Sequence, residues 1–352
     1  MTPGVTATGD PARSAGPPIL PTVSATGPAT RLERLILYQL SGVAYLGCAA
    51  LIVFTIMRST GYESAVALAL YGVTPWLYLP VYAVVGYAFG ARQRVLLALS
   101  LIVVIIHVVT IWPDIKPPNH LSAAVKNAPH MRVFSANLLF SNKDLSGIIA
   151  EVHARDPDIA VFEEATPAHR ARLLGDPALS GLPNRVFANG SDTILFSRLP
   201  IESSDIWSET AKPMVRAHLS TAIGTVEILV VHTVAPTNGT AIARWRQMLD
   251  AIHDLAQQRT TPLLLVGDFN ATIYHHRFDA ILDTGLTDAH SARGTGLTGT
   301  WPRDKPVPPF LRIDHALSSK ELVPTRASYG TGSGSDHRPI IVDYALVGSA
   351  AP

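Results

Sequence analysis

The chain has 352 residues, a formal net charge of +1 and a single cysteine, Cys48, which lies in an apolar stretch. That length allows about two domains, and one cysteine excludes a disulfide framework, a cysteine zinc site and thiol catalysis. After residue 130 there are 20 Lys/Arg against 23 Asp/Glu, which is not the clustered positive charge that nucleic-acid binding calls for.

Residues 1–30 hold 18 Pro, Gly, Ser and Thr. They carry too little apolar surface to offset the entropy of ordering and are expected to form a disordered cytoplasmic tail, not a signal peptide. Three apolar stretches follow. Leu35 to Met57, between Arg31/Arg34 and Arg58, is long enough to cross about 30 Å of hydrocarbon as a helix. Ala65 to Phe89 is the second; its Pro75 and Pro80 are tolerated where neighbouring helices satisfy the freed carbonyls. Val95 to Trp112 is the third and ends on a tryptophan suited to the membrane interface. Arg13, Arg31 and Arg34 precede the first span, and Arg92 and Arg94 lie between the second and third. The first loop has only Arg58, opposed by Glu63. The positive-inside rule then places the N-terminus in the cytoplasm and everything after Trp112 outside the cell. His107, in the third span, reads as a neutral histidine bonding a neighbouring helix.

Residues 113–130 read as a linker, 131–347 as a second domain and 348–352 as a tail. In this domain strands alternate with helices. Met131 to Ala136 is a short strand ending at Asn137, and Leu145 to Ala154 has helical spacing. Asp156-Pro157-Asp158 is a turn, and Ile159 to Phe162 a buried strand closed by Glu163-Glu164. Thr193 to Ser197 and Val226 to Val231 are further strands, the latter ending at His232. Ala241 to Gln258 is an amphipathic helix on which Arg244 and Arg246 read as a solvated face. Leu263 to Val266, entered through Pro262 and left through Gly267, ends in Asp268 and Asn270, which period-2 geometry points the same way. Ile340 to Tyr344 is the last strand. Asn137, Glu164, His232 and Asp268/Asn270 thus sit just past the carboxyl ends of apolar strands, the edge on which open sheets build sites.

The segments Ser135-Ala136-Asn137, Phe162-Glu163-Glu164, Val231 to Pro236, Gly267-Asp268-Phe269-Asn270, Thr300-Trp301-Pro302, Arg312-Ile313-Asp314-His315 and Ser335-Asp336-His337 resemble, in order, the motifs of the endonuclease/exonuclease/phosphatase superfamily. These are the DNase I-like metal-dependent phosphoesterases. The resemblance covers Met131 to Leu346 and implies a four-layer α/β/β/α sandwich, here preceded by three transmembrane helices. Where the family usually has Gln, this chain has Glu163, so Glu164 takes the ligand role and the position of the extra carboxylate is open.

A phosphodiester or pyrophosphate repels hydroxide, so a divalent cation must offset charge on its non-bridging oxygens. Glu164 is a hard oxygen ligand for Mg2+ (or Mn2+), with Asn137 close by; Asp336 holds a second ion or supports the first. Asp268 would orient and deprotonate the attacking water, and Asn270 would hydrogen-bond the phosphoryl oxygens. His337 would stabilise phosphoryl charge or take part in proton transfer, its other ring nitrogen bonded, by resemblance, to Asp314. His232 fits a general acid for the leaving oxygen. Trp301 either stacks on substrate or covers the core. His275 and His276 read as solvated, and His315 as a packed or surface residue.

Three spans carrying an outer-face domain resemble the VanJ-type teicoplanin-resistance proteins. That resemblance implies hydrolysis of a phosphate ester or pyrophosphate on a lipid carrier such as undecaprenyl pyrophosphate, at the bilayer surface. The alternatives are a tethered nuclease acting on DNA, the less favoured because of the acidic excess, and a sphingomyelinase-like phospholipid diesterase. An inactive membrane scaffold is disfavoured, since Glu164, Asp268, Asn270, Asp314 and His337 are all present.

Overall fold

The computed structural model describes residues 30–348. The tails expected at the two ends fall almost wholly outside them. The chain divides into two compact units after Ala44. The first is the leading part of helix α1 (Arg31–Ser59), which opens on a reciprocal cap: Thr30 N–H donates to Glu33 at 2.6 Å and Glu33 N–H to the Thr30 hydroxyl at 3.2 Å.

In the second unit, helices α2 (Ala65–Gly72), α3 (Thr74–Leu77), α4 (Pro80–Gly90) and α5 (Arg94–Ile115) follow the rest of α1. Helices α1 and α5 are long and apolar enough to cross a membrane, with mean hydropathies of 2.1 and 2.8. The second expected span is broken. Residues 65–72 meet residues 74–90 at a bend of 79°, where Pro75 lacks the N–H that a continuous ladder needs and restricts the residue before it. Among the described residues there are therefore two spanning-length helices, or three if the bent pair counts as one. His107 of α5 serves the break: its Nε2 lies 3.1 Å from the Pro75 carbonyl and its Nδ1 3.0 Å from the Tyr82 hydroxyl. Helix α5 also runs through Pro113 into the stretch expected to be linker. A short helix, α6 (Ala123–Asn127), follows, capped by Ser122.

Two six-stranded sheets form the domain. In chain order come β1 (His130–Asn137), α7 (Ser146–Arg155), β2 (Ile159–Glu163), α8 (Pro167–Leu174), β3 (Asn184–Val186), β4 (Ile194–Ser197), β5 (Ile201–Trp207) and β6 (Met214–Thr221). Then come β7 (Gly224–His232), α9 (Gly239–Gln258), β8 (Leu263–Asp268), α10 (His276–Asp283), β9 (Thr287–Asp288), α11 (Ala289–Ala292), β10 (Asp314–Ser318), β11 (Leu322–Tyr329) and β12 (Ile340–Leu346). The sheets run β11-β12-β1-β2-β4-β3 and β5-β6-β7-β8-β10-β9. Within each, one central pair is parallel, β1 with β2 and β7 with β8. Strand alternation explains the core. Met131, Val133, Ile159 and Val161 join Ile228, Val230, Leu264 and Val266 between the sheets. Phe134, Ala136, Ala160 and Phe162 face the other way, against Ile148, Ile149 and Val152 of α7 and Leu173 of α8. Strands buried on both faces read as continuous apolar runs. The result is the expected α/β/β/α sandwich.

Polar side chains lock the apolar helices onto this domain. Asp114, near the end of α5, is buried; it accepts from Arg312 at 3.0 Å, Ser291 at 2.6 Å and Tyr274 at 2.7 Å. Arg312 also donates to Asp288 at 2.7 Å, and His315 Nδ1 lies 2.7 Å from that carboxylate. Gly296 leaves room for the cluster, since a Cβ there would strike the Asp114 carboxylate. Two expectations change. Arg246 is not merely solvated but pairs with Glu63 at 2.6 Å. His275 is buried, with Nε2 3.0 Å from the Leu68 carbonyl, while His276 is exposed.

Candidate active site

Register assembles the site. The parallel pairing sets Asn137 opposite Glu163 and His232 opposite Asp268; the antiparallel pairing of β10 sets Asp314 opposite Asp268. His232, Asp268 and Asp314 therefore stand abreast on three neighbouring strands. The loop before β12 is pinned to β1: Ser335 donates to the Asn137 carbonyl at 2.7 Å and accepts from His337 N–H at 3.0 Å. This brings Asp336 and His337 over the strand ends. Gly267 is required here. Its φ is +137°, and a Cβ would strike the Val231 carbonyl and lie 2.7 Å from Glu163 Oε1.

The Asn137 amide donates to Glu164 Oε1 and to Asp268 Oδ2, both at 3.2 Å, while its own carbonyl oxygen accepts Leu139 N–H at 3.0 Å. Glu164 Oε2 accepts Phe140 N–H at 2.7 Å. Asn270 donates its backbone N–H to Asp268 Oδ1 at 2.8 Å and its amide to the Thr233 carbonyl at 3.0 Å and Asp268 Oδ2 at 3.2 Å. Glu164 and Asn270 both have left-handed backbones, φ 56° and 47°. Such strain persists where surrounding structure over-determines a residue, a pattern concentrated at functional sites. Burial and Asp314 raise the Asp268 pKa against the pull of His337 and His232.

His337 Nδ1 lies 2.9 Å from Asp314 Oδ2, and its Nε2 lies 3.9 Å from Asp268 and 4.0 Å from Asp336. Burial alone would lower its pKa, but Asp314, Asp268 and Asp336 push it up to about 10. These three carboxylates favour the imidazolium form of His337. The His232 ring is held through Nδ1, 2.6 Å from Lys212 Nζ and 3.0 Å from Asp192, leaving Nε2 3.8 Å from Glu164 and 3.9 Å from Asp268. Asp192 is pulled down to about 2; burial opposes this, and His232 and Lys212 outweigh it. Sequence reasoning missed both Asp192 and Lys212. They come from loops 40 and 20 residues away, and no local pattern marks them.

The two adjacent glutamates part ways. Glu164 borders the cleft, whereas Glu163 is fully buried, accepts from Ser135 at 3.1 Å, and has its pKa raised well above the carboxylate range by burial, Asp314 and Asp268. Trp301 donates to Asp336 Oδ2 at 3.0 Å and also borders the cleft. The cleft has a volume of about 680 Å³, and Glu164, His232, Asp268, Asn270, Asp336 and His337 form its polar side. Among the described residues, ligand atoms of Asp268, Asp314 and His337 lie within 4.8 Å of one another. Four carboxylates facing two imidazoles make an oxygen-rich donor set that suits a hard divalent cation.

A family model described as the endonuclease/exonuclease/phosphatase family matches residues 134–337, more than half of the chain and every residue discussed above from Asn137 to His337. An endonuclease/exonuclease/phosphatase structure from Beutenbergia cavernae is 17% identical, with a TM-score of 0.50 over 63% of this chain and 73% of that one. Truncated TDP2 from Caenorhabditis elegans is 17% identical, at 0.49 over 62% and 98%. Sphingomyelinase C from Streptomyces griseocarneus is 16% identical, at 0.46 over 61% and 99%. No curated protein matches in sequence. With its two-sheet fold and its carboxylate and imidazole cluster, this chain belongs to the endonuclease/exonuclease/phosphatase family and is a phosphoesterase.

Proposed function

We propose that the protein is a membrane-anchored, divalent-metal-dependent phosphoesterase that cleaves a phosphate ester or pyrophosphate on a lipid carrier, such as undecaprenyl pyrophosphate, with its domain on the outer face of the cell membrane. The observation that carries this reading is a phosphoesterase cluster in the same chain as helices of spanning length. The likeness of the whole arrangement to the VanJ-type proteins supports it.

Glu164, Asn137 and Asp336 are the residues we assign to hold Mg2+ or Mn2+, one ion or two. Bound there, the ion supplies charge neutralisation at the non-bridging phosphoryl oxygens. Asp268 orients the attacking water and takes its proton, as its cleft-facing position beside Asn137 and Asn270 allows. Asn270 serves a phosphoryl oxygen by exchanging its longer bond, the 3.2 Å contact with Asp268. His337, kept protonated and oriented by Asp314, donates to the charge that develops on the phosphoryl group. His232, fixed through Nδ1, delivers a proton from Nε2 to the leaving oxygen.

The test is the full-length protein in detergent with Mg2+, offered polyprenyl pyrophosphate and plasmid DNA in parallel. We expect phosphate release and intact plasmid. Nicked plasmid with no phosphate would make the protein a tethered nuclease. A reporter fused after Pro352 tests the orientation, and a cytoplasmic signal would overturn the outer-face assignment.

A further inference from the structure

The catalytic cleft has a second side. Opposite the carboxylates, its wall is helix α2: Ala65, Leu68, Ala69 and Gly72 line the cavity. The spacing i, i+3, i+4, i+7 is one continuous stripe of a helix, here wholly apolar. On the domain side Val234, Ala235 and Pro236, just past His232, continue the apolar surface. Val66 and Leu70, outside the cavity lining, are apolar too, 70% and 37% exposed.

This wall is built in, not draped. The Leu68 carbonyl lies 3.0 Å from His275 Nε2, Trp76 donates to the Phe310 carbonyl at 3.0 Å, and Glu63 pairs with Arg246 at 2.6 Å and Arg277 at 3.2 Å. The bend of 79° between residues 65–72 and 74–90 lets α2 leave the direction of α4 and lie along the cleft.

At roughly 30 Å³ per water-sized group, a cleft of this volume holds on the order of twenty such groups. A phosphoryl group at Asp268 and His337 fills only a small share of it. Apart from Lys212, Thr233, Thr237 and Thr272, the remainder lies mostly along apolar side chains, which offer an alkyl or isoprenoid chain a dry surface.

We infer that α2 is the substrate's lipid-binding wall: with the phosphoryl group at Asp268 and His337, the first segment of the apolar chain lies along Ala65, Leu68, Ala69 and Gly72. The inference rests on the phosphoesterase reading above and names the half of the substrate that reading leaves undefined. Because α2 is itself the first half of the bent candidate span, the lipid has an apolar route from the cleft along that helix, and the substrate need not leave the membrane to be cleaved.

The test uses single cysteines in the full-length Cys48→Ser protein, at Ala69→Cys in the cavity lining and Leu70→Cys outside it, labelled with a maleimide. A polyprenyl phosphonate at about ten times its dissociation constant should slow labelling of the A69C variant roughly tenfold. It should leave L70C unchanged, and methylphosphonate should protect neither. Ala69→Trp should lower kcat/KM for polyprenyl pyrophosphate about tenfold through KM, with bis-p-nitrophenyl phosphate turned over at the wild-type rate. Equal labelling of A69C with and without the long-chain phosphonate, or equal losses on both substrates in A69W, would overturn the inference. Protection without phosphate release from the lipid by the wild type would keep the wall and remove the hydrolytic reading. Release without protection would do the reverse.

Discussion

Two buried clusters in this molecule use the same kinds of residue to opposite ends. Around Arg312, two carboxylates, a guanidinium, a histidine, a serine and a tyrosine satisfy one another. Arg312 donates to Asp288, Asp114, Ser291 and the Gly296 carbonyl, and His315 spans Asp288 and the Ala271 carbonyl at 2.9 Å. Around Asp268, the carboxylates outnumber their cationic partners and Glu164, Asp268 and Asp336 border a cleft. The first cluster is closed and holds α5 to the domain. The second is open, and its spare oxygens are what a metal ion would use. Buried charge alone does not mark a site; unspent bonding capacity facing a cavity does.

If that contrast is right, the same chemical change has different consequences in the two places. In the open cluster, Asp314→Asn removes the carboxylate that orients His337, and kcat should fall roughly 10²–10⁴-fold in protein that is still folded at the assay temperature. In the closed cluster, Asp114→Ala leaves Arg312 buried without one of its partners and should cost about 3–5 kcal/mol of stability, read as a lower Tm of the detergent-solubilised protein. A site lesion that mainly unfolds the protein, or an anchor lesion that mainly stops turnover, would erase the distinction.

Acid gives a third separation. His275 and His290 are buried and held neutral, each lowered by burial from 6.5 to about 4. Above pH 6.5 they cost nothing. As pH falls from 6.5 toward 4, the unfolded chain takes up protons that the folded one refuses, so each removes up to roughly 3 kcal/mol. Unfolding followed against pH should flatten over that window in His275→Gln; an unchanged slope would mean that the histidine is already charged in the fold. The smallest effect is expected at Glu163. Held neutral by burial behind Asp268 and Asp314, it behaves as an amide would, and Glu163→Gln should keep kcat within about threefold. A large loss would make Glu163, not Glu164, the residue that faces the ion.

Much of this was readable before the fold was known, for a physical reason. Strands β1, β2, β7, β8 and β12 are buried on both faces, so they appear as apolar runs with a polar residue at the end. The polar ends Asn137, Glu164, His232 and Asp268 then mark one edge. Strands β5 and β6 left no such trace, because β5 is mostly exposed and alternates Ser, Glu and Asp with few apolar residues. Long-range pairings were equally silent. Asp114 and Arg312 are 198 residues apart, and neither sequence neighbourhood hints at the other. His275 reads as solvated because adjacent histidines on an irregular stretch usually are; its burial is seen only with the Leu68 carbonyl of a distant helix beside it. The break between α2 and α3 was visible as prolines but not as a direction, and direction is what puts α2 beside the cleft.

The most direct test of the open cluster as the catalytic centre is turnover and Tm measured on the same preparations of wild type and Asp268→Asn, with Mg2+ and polyprenyl pyrophosphate. We expect phosphate release to fall by roughly 10³-fold or more while Tm holds or rises, since the substitution removes a buried charge beside Asp314. Undiminished release from a folded Asp268→Asn protein would contradict the assignment and place the chemistry elsewhere.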